Sequence, residues 1–205
     1  MGVKYRSVFF GVFISFMVFS SSRGFAQSPS SKRVILVLDA TYTMRENNSL
    51  EMVKSWAIKA VEHFNSGDSL CVISFDSNAR VLVPFLPVQS RQVMINAVAN
   101  LAPRLATYIF DGVSLAFKAH NWKNTDQTRR TVIVLITDGL APNDNRLDAI
   151  ASEIDSANCV LHVVQTTFAD EQYVNQLKTL AENAGGVYLQ GSSFKPERII
   201  PLIRN

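Results

Sequence analysis

Two apolar runs in this chain each end in an aspartate, and that pattern limits the fold more than any other feature. Residues 34–38 (VILVL) are apolar and mostly β-branched, and they stop at Asp39. Ala40, Thr41, Tyr42 and Thr43 follow, so hydroxyls stand two and four positions after the carboxylate. Residues 131–137 (TVIVLIT) repeat the pattern and end in Asp138 and Gly139. Runs of this kind read as strands buried on both faces, as in a parallel sheet. In an open α/β sheet, ligands bind beyond the carboxyl ends of the strands, where the strand order reverses. The two aspartates are therefore expected side by side there, as parts of a cation site.

The remaining periodicities support such a sheet. Strands are expected over 34–38, 69–75, 80–85, 131–137, 160–164 and 187–189. Helical spacing of apolar residues falls over 50–65, 90–101, 110–120, 171–183 and a stretch ending at Ala157. Alternating strands and helices imply an α/β fold with a doubly wound, mostly parallel sheet flanked by helices. Only a short loop, 76–79, joins the second and third strands, so the third is expected to run antiparallel. Pro84 places it at an edge. Ser49 is expected to cap the first helix, and Asn143 or Asn145 the fourth. Gly67 suits the C-terminal turn of the first helix, and Gly185–Gly186 the stop of the fifth. Pro201 argues against a last helix over 197–203.

Residues 1–26 read as a leader. Lys4 and Arg6 make a basic start, residues 8–19 are apolar, and Gly24 and Ala26 give a small-x-small cleavage site. The expected division is a signal peptide over 1–26, a lead-in over 27–32 and one domain over 33–205. Export follows, to the periplasm or out of the cell, with no membrane attachment once the leader is gone. The 20 Lys+Arg and 17 Asp+Glu of the whole chain become balanced once Lys4, Arg6 and Arg23 leave. With no basic stripe, nucleic-acid binding is not expected. Cys71 and Cys159 lie in apolar strand-like runs and read as buried thiols.

The cation argument is electrostatic. Neighbouring strands lie about 4.8 Å apart. Two carboxylates ending adjacent strands would repel unless a counter-charge lay between them. Carboxylate and hydroxyl oxygens are hard ligands, suited to Mg²⁺ or Mn²⁺, with Ca²⁺ also compatible, and not to zinc.

DATYTM, Thr107 within LATYIFDGV, and Asp138 within LITDG together resemble the von Willebrand factor type A domain and its metal-ion-dependent adhesion site. The resemblance runs from about Lys32 to Leu189, and GDSLCVISFDSNARVLVPF is similar to that family's second and third strands. It implies a Rossmann-like six-stranded sheet of order 3-2-1-4-5-6. It also implies Asp39, Thr41, Thr43, Thr107 and Asp138 as metal ligands, direct or through water. The implied activity is non-enzymatic protein binding of an adhesion type, a partner's exposed acidic residue completing the metal shell. By the same order, Cys71 and Cys159 lie three strand spacings apart, about 14 Å, too far for a disulfide.

Threonines replace the motif's serines, Tyr42 stands where glycine is frequent, and Arg104, Leu105 and Ala106 replace a usually glycine-containing loop. A metal-free interaction scaffold is therefore the alternative. Asp111 reads either as an acceptor orienting metal-bound water or as an acid favoured in the first turn of a helix. Asp76 reads as a turn residue. A haloacid-dehalogenase-like phosphatase would also place Asp39 after a central strand. That family needs a second acid where this chain has Thr41. No Gly-x-Ser-x-Gly is present, and His63, His120 and His162 have no partner motif.

Overall fold

The computed structural model describes residues 31–104, 108–121, 129–141, 144–167, 170–190 and 195–204. The expected leader and most of the lead-in lie outside the described residues, as does Thr107. The first apolar run forms β1 (Arg33–Asp39), with all seven residues buried. Such a strand offers no wet face, so it must sit inside the sheet with helices on both sides. β2 (Ser69–Phe75) and β4 (Thr131–Thr137) pair with it in parallel. β3 (Ala79–Pro87) pairs antiparallel with β2 and forms one edge, as its short connection and Pro84 require. β5 (Cys159–Gln165) and β6 (Tyr188–Gln190) complete the order β3-β2-β1-β4-β5-β6. Strand order reverses between β1 and β4, at the site the two aspartates mark.

Alternate residues of β1 supply two cores. Val34, Leu36 and Leu38 meet α1 (Ser49–Glu62), α2 (Arg91–Ala99) and α6 (Ile199–Arg204). Ile35 and Val37 meet α3 (Ile109–His120), α4 (Arg146–Ser156) and α5 (Glu171–Asn183). Cys71 and Cys159 are free and buried on β2 and β5, with β1 and β4 between them.

Some helix ends differ from expectation. Ser49 is not a cap. A 3-10 turn over Tyr42–Asn48 runs straight into α1, Asn48 takes the left-handed conformation at φ 58°, and Ser49 is the first helical residue. Asparagine tolerates that region better than most residues. α1 ends at Glu62, before Gly67. The turn after it is organised by Asp68, whose carboxylate accepts the N–H groups of Asn65 and Lys32, both at 2.8 Å. α4 begins after Asn145, which makes no side-chain cap; Asn143 lies outside the described residues. Pro201 does not exclude α6, because it falls in the helix's first turn, where a missing N–H costs nothing.

The C-terminal end of α5 follows the expected glycine stop. Gly185 has φ +66°, its N–H reaches the Glu182 carbonyl at 3.1 Å, and the Gly186 N–H reaches the Ala181 carbonyl at 2.8 Å. These two bonds are the 5→2 and 6→1 pairs of a Schellman turn.

Candidate metal centre

β1 and β4 end together, and their last side chains are tied to each other. Asp39 is fully buried. Its Oδ1 accepts the Thr41 N–H at 2.9 Å, and its Oδ2 accepts the Thr137 hydroxyl at 2.5 Å. Thr137 Oγ1 in turn accepts the Gly139 N–H at 2.9 Å. Thr137 thus joins the aspartate of β1 to the backbone that carries the aspartate of β4. Burial raises the Asp39 pKa first, and the charge of Asp138 raises it further. Hydrogen bonds from Thr137 and Thr41 oppose both, and the net direction is upward. Among the described residues no opposite charge therefore compensates the ionised form of Asp39.

The hydroxyls follow Asp39 on a pinned segment. The Ala40 N–H donates to the Phe75 carbonyl at 2.9 Å, and the Ala40 carbonyl accepts the Arg104 N–H at 2.7 Å. Thr41 makes a bridge with Arg104 beyond the sheet. Thr41 is buried and Thr43 half-buried, with their Oγ1 atoms 3.0 Å apart. Asp39, Thr41, Thr43 and Asp138 thus gather at one end of the sheet. The pinned Arg104 brings the chain to within three residues of Thr107.

Asp138 is held from behind by residues that sequence reasoning did not single out. Its Oδ1 accepts the Leu140 N–H at 3.0 Å. Its carbonyl accepts Gln165 Nε2 at 3.0 Å and Thr167 Oγ1 at 3.2 Å. The Thr137 carbonyl accepts the Thr166 N–H at 2.8 Å. Tyr188 donates its hydroxyl to Gln165 Oε1. Gly139, at φ +81°, lies where a Cβ would come within 2.6 Å of Gln165 Nε2. One signal was available: the apolar run of β5 also ends in polar residues, Gln165, Thr166 and Thr167.

Gly112 was also missed. A Cβ there would lie 2.8 Å from the Phe75 ring and 3.1 Å from Val37, so only glycine lets α3 approach β1 and β2 this closely. Asp111 sits in the first turn of α3, where its charge acts on Arg146. Asp76 is the expected turn residue, accepting the Asn78 N–H at 3.2 Å and pairing with Arg80 at 2.7 Å. His63 contacts the Lys59 carbonyl, His120 contacts Thr131 and His162 accepts the Val187 N–H, all away from the two aspartates.

The donor set fits a hard divalent ion. It offers two carboxylates and two hydroxyls, with neither sulfur nor imidazole. Among the described residues no three or more His, Cys, Asp or Glu are arranged to hold a metal ion together. The two carboxylates named here, Asp39 and Asp138, are the anionic donors of that set.

Comparison with known proteins agrees with this frame. Residues 34–140 match the family model of the von Willebrand factor type A domain. An uncharacterised protein of Synechocystis sp. is 28% identical over 156 residues, covering 74% of this chain and 35% of the relative. The chain thus spans about a third of that relative's length. An aerotolerance-related membrane protein from Bacteroides fragilis superposes with TM-score 0.70 at 17% identity, covering 84% of this chain and 96% of that one. Proximal thread matrix protein 1 from the mussel byssus, with a zinc-occupied metal-ion-dependent adhesion motif, gives 0.67 at 20% identity, covering 85% and 45%.

Proposed function

The chain belongs to the von Willebrand factor type A family, and we propose that it is an exported, non-catalytic binding module. Its centre would hold a divalent cation through Asp39, Thr41, Thr43, Thr107 and Asp138. The ion would supply an electrophilic position for an acidic side chain of a protein partner. One observation carries the reading. Asp39 is fully buried at the sheet's switch point, and the charge that bears on it, that of Asp138, has the same sign. A cation relieves that repulsion, and the two threonines add oxygen donors without adding charge. The expected leader over 1–26 supports action outside the cytoplasm. Among the described residues no helix is long and apolar enough to cross a membrane.

Thermal melts with Mg²⁺, Mn²⁺ and Zn²⁺ test the proposal; zinc is included because it occupies the motif of the mussel protein. A ligand at a hundred times its Kd stabilises the folded state by about 2.7 kcal/mol, which raises Tm by roughly 5–10 °C for a chain of this size. Asp39→Ala should abolish the rise. No rise with any of the three ions at millimolar concentration would leave a metal-free scaffold. Generic phosphate esters separate the enzymatic alternative: turnover lost in Asp39→Ala would overturn the non-catalytic reading.

A further inference from the structure

The surface around the candidate metal centre has a composition of its own. Tyr42, Tyr108 and Leu140 are 53%, 48% and 38% exposed, and they are three of the five large apolar side chains most exposed among the described residues. Each follows the carboxyl end of the sheet. Tyr42 is next to Thr41, Leu140 lends its N–H to Asp138, and Tyr108 immediately precedes α3, which Gly112 seats against β1 and β2.

Two exposed arginines lie among them. Arg104 is bridged to the backbone of Thr41, and the Arg45 guanidinium lies 5.0 Å over the Tyr42 ring. Other arginines at this end are neutralised within the chain: Arg80 pairs with Asp76 at 2.7 Å and Arg146 with Asp144 at 2.5 Å. Among the described residues no carboxylate pairs with Arg45 or Arg104. Arg104 is bridged to Thr41, the first hydroxyl of the centre, and Arg45 lies four residues after Thr41 with its guanidinium over the intervening Tyr42.

We propose that this rim recognises an extended peptide segment carrying two carboxylates flanked on the same face by apolar residues. The inference rests on the cation reading above and extends it. One carboxylate takes the metal position. The second, two residues along the segment, is about 7 Å away on the same side of an extended chain. That is within reach of an arginine anchored beside Thr41. Arg104 and Arg45 then accept it by charge-assisted hydrogen bonds. Tyr42, Tyr108 and Leu140 cover apolar residues at the next positions on that same side, two before the first acid and two after the second, aromatic rings at a rim being large, rigid contact groups.

Fluorescence anisotropy with labelled peptides on the purified protein tests this in Mg²⁺. The probes are a peptide with leucine, aspartate, aspartate and leucine at alternate positions and serine between them, one with a single acid, and one with serine for both leucines. The two-acid peptide should bind about tenfold more tightly than either of the others. Arg104→Ala and Arg45→Ala should each reduce its affinity about tenfold, and Lys59→Ala, at the opposite end of α1, should not. The Mg²⁺-dependent rise in Tm of the same proteins reports the underlying metal reading separately. A rise in Tm with no preference for two acids, or with no loss in the arginine variants, overturns the rim proposal alone. Absence of both the rise and any peptide binding at millimolar concentration removes both readings. Self-association lost in Arg104→Ala would assign the surface to a second copy of the chain and overturn the peptide proposal.

Discussion

The two ends of the central sheet handle buried charge in opposite ways. At the amino end, Arg33 opens β1 and is 8% exposed. Its guanidinium lies 4.2 Å over the Phe85 ring, and its Nη2 donates to the His120 carbonyl at 3.3 Å. The His120 ring contacts Thr131 Oγ1 at 2.8 Å. A π face and a carbonyl from its own chain thus meet the buried cation. The two thiols near this end, Cys71 and Cys159, are each pushed up to about 12 by burial, so they are inert. At the carboxyl end, Asp39 receives hydroxyl and amide hydrogens, yet the charge facing it has its own sign. One end is closed by the fold, while the other leaves two like charges facing each other, which the proposed cation would compensate. Mutations at the amino end should therefore cost stability alone, and mutations at the carboxyl end should change what the protein binds.

The largest effect is expected from the closed end. A Cβ on Gly186 would lie 1.9 Å from the Leu161 carbonyl oxygen, a backbone atom that cannot swing aside. Gly186→Ala should cost about 3 kcal/mol, the upper end for overpacking. Chemical denaturation would measure the loss. The metal-induced rise in Tm should survive in whatever folds, and a variant that loses the rise would break the division between the two ends.

A smaller effect comes from acid. His162 is buried and its ring Nδ1 accepts the Val187 N–H at 3.0 Å, which requires the neutral ring. Burial and the charge of Arg130 lower its pKa from 6.5 to about 4. The unfolded chain then takes up a proton that the folded chain refuses, so stability falls as pH drops through 6.5 and levels out only near 4. Between pH 6.5 and 5 this amounts to about 2 kcal/mol at 1.36 kcal/mol per unit. Glutamine keeps an acceptor without a titrating ring, so the parent-minus-His162→Gln difference in stability should follow this curve. A difference independent of pH would remove His162 from the acid response.

The closed parts of the molecule were legible in sequence because local rules govern them. β2, β4 and α5 have the expected bounds, and the short 76–79 loop does turn β3 antiparallel. The grouping of Asp39, Thr41, Thr43 and Asp138 was legible for a related reason. A buried strand that stops at a carboxylate marks its own end, and strand pairing does the rest. What could not be read depends on approach between elements far apart in the chain. Gly112 looks like any helical glycine until Phe75 lies against it. Gln165 and Tyr188 become supports of Asp138 only when β5 and β6 are laid beside β4. Ser49 failed as a cap because the turn before it is itself helical in kind, a property of the loop rather than of serine.

The finest test uses the two threonines of β4, which make matching contacts at opposite ends. Thr131 meets His120 at one end and Thr137 meets Asp39 at the other. Valine replaces threonine with the same shape and no hydroxyl. Thr131→Val removes a bond to a buried imidazole and should cost about 1 kcal/mol without changing affinity for Mn²⁺. Thr137→Val strips a donor from a buried carboxylate and an acceptor from the Gly139 N–H, and should cost about 1.5 kcal/mol. It should also weaken Mn²⁺ binding about tenfold, because Asp39 can then turn away from the position that Thr137 and Thr41 impose on it. Thr137→Ser keeps the hydroxyl and should restore the affinity even if some stability is lost with the methyl group. Calorimetric titration with Mn²⁺, alongside melts of the three variants, separates the effects. A purely structural Thr137 would lower Tm and leave the affinity untouched, as Thr131 should.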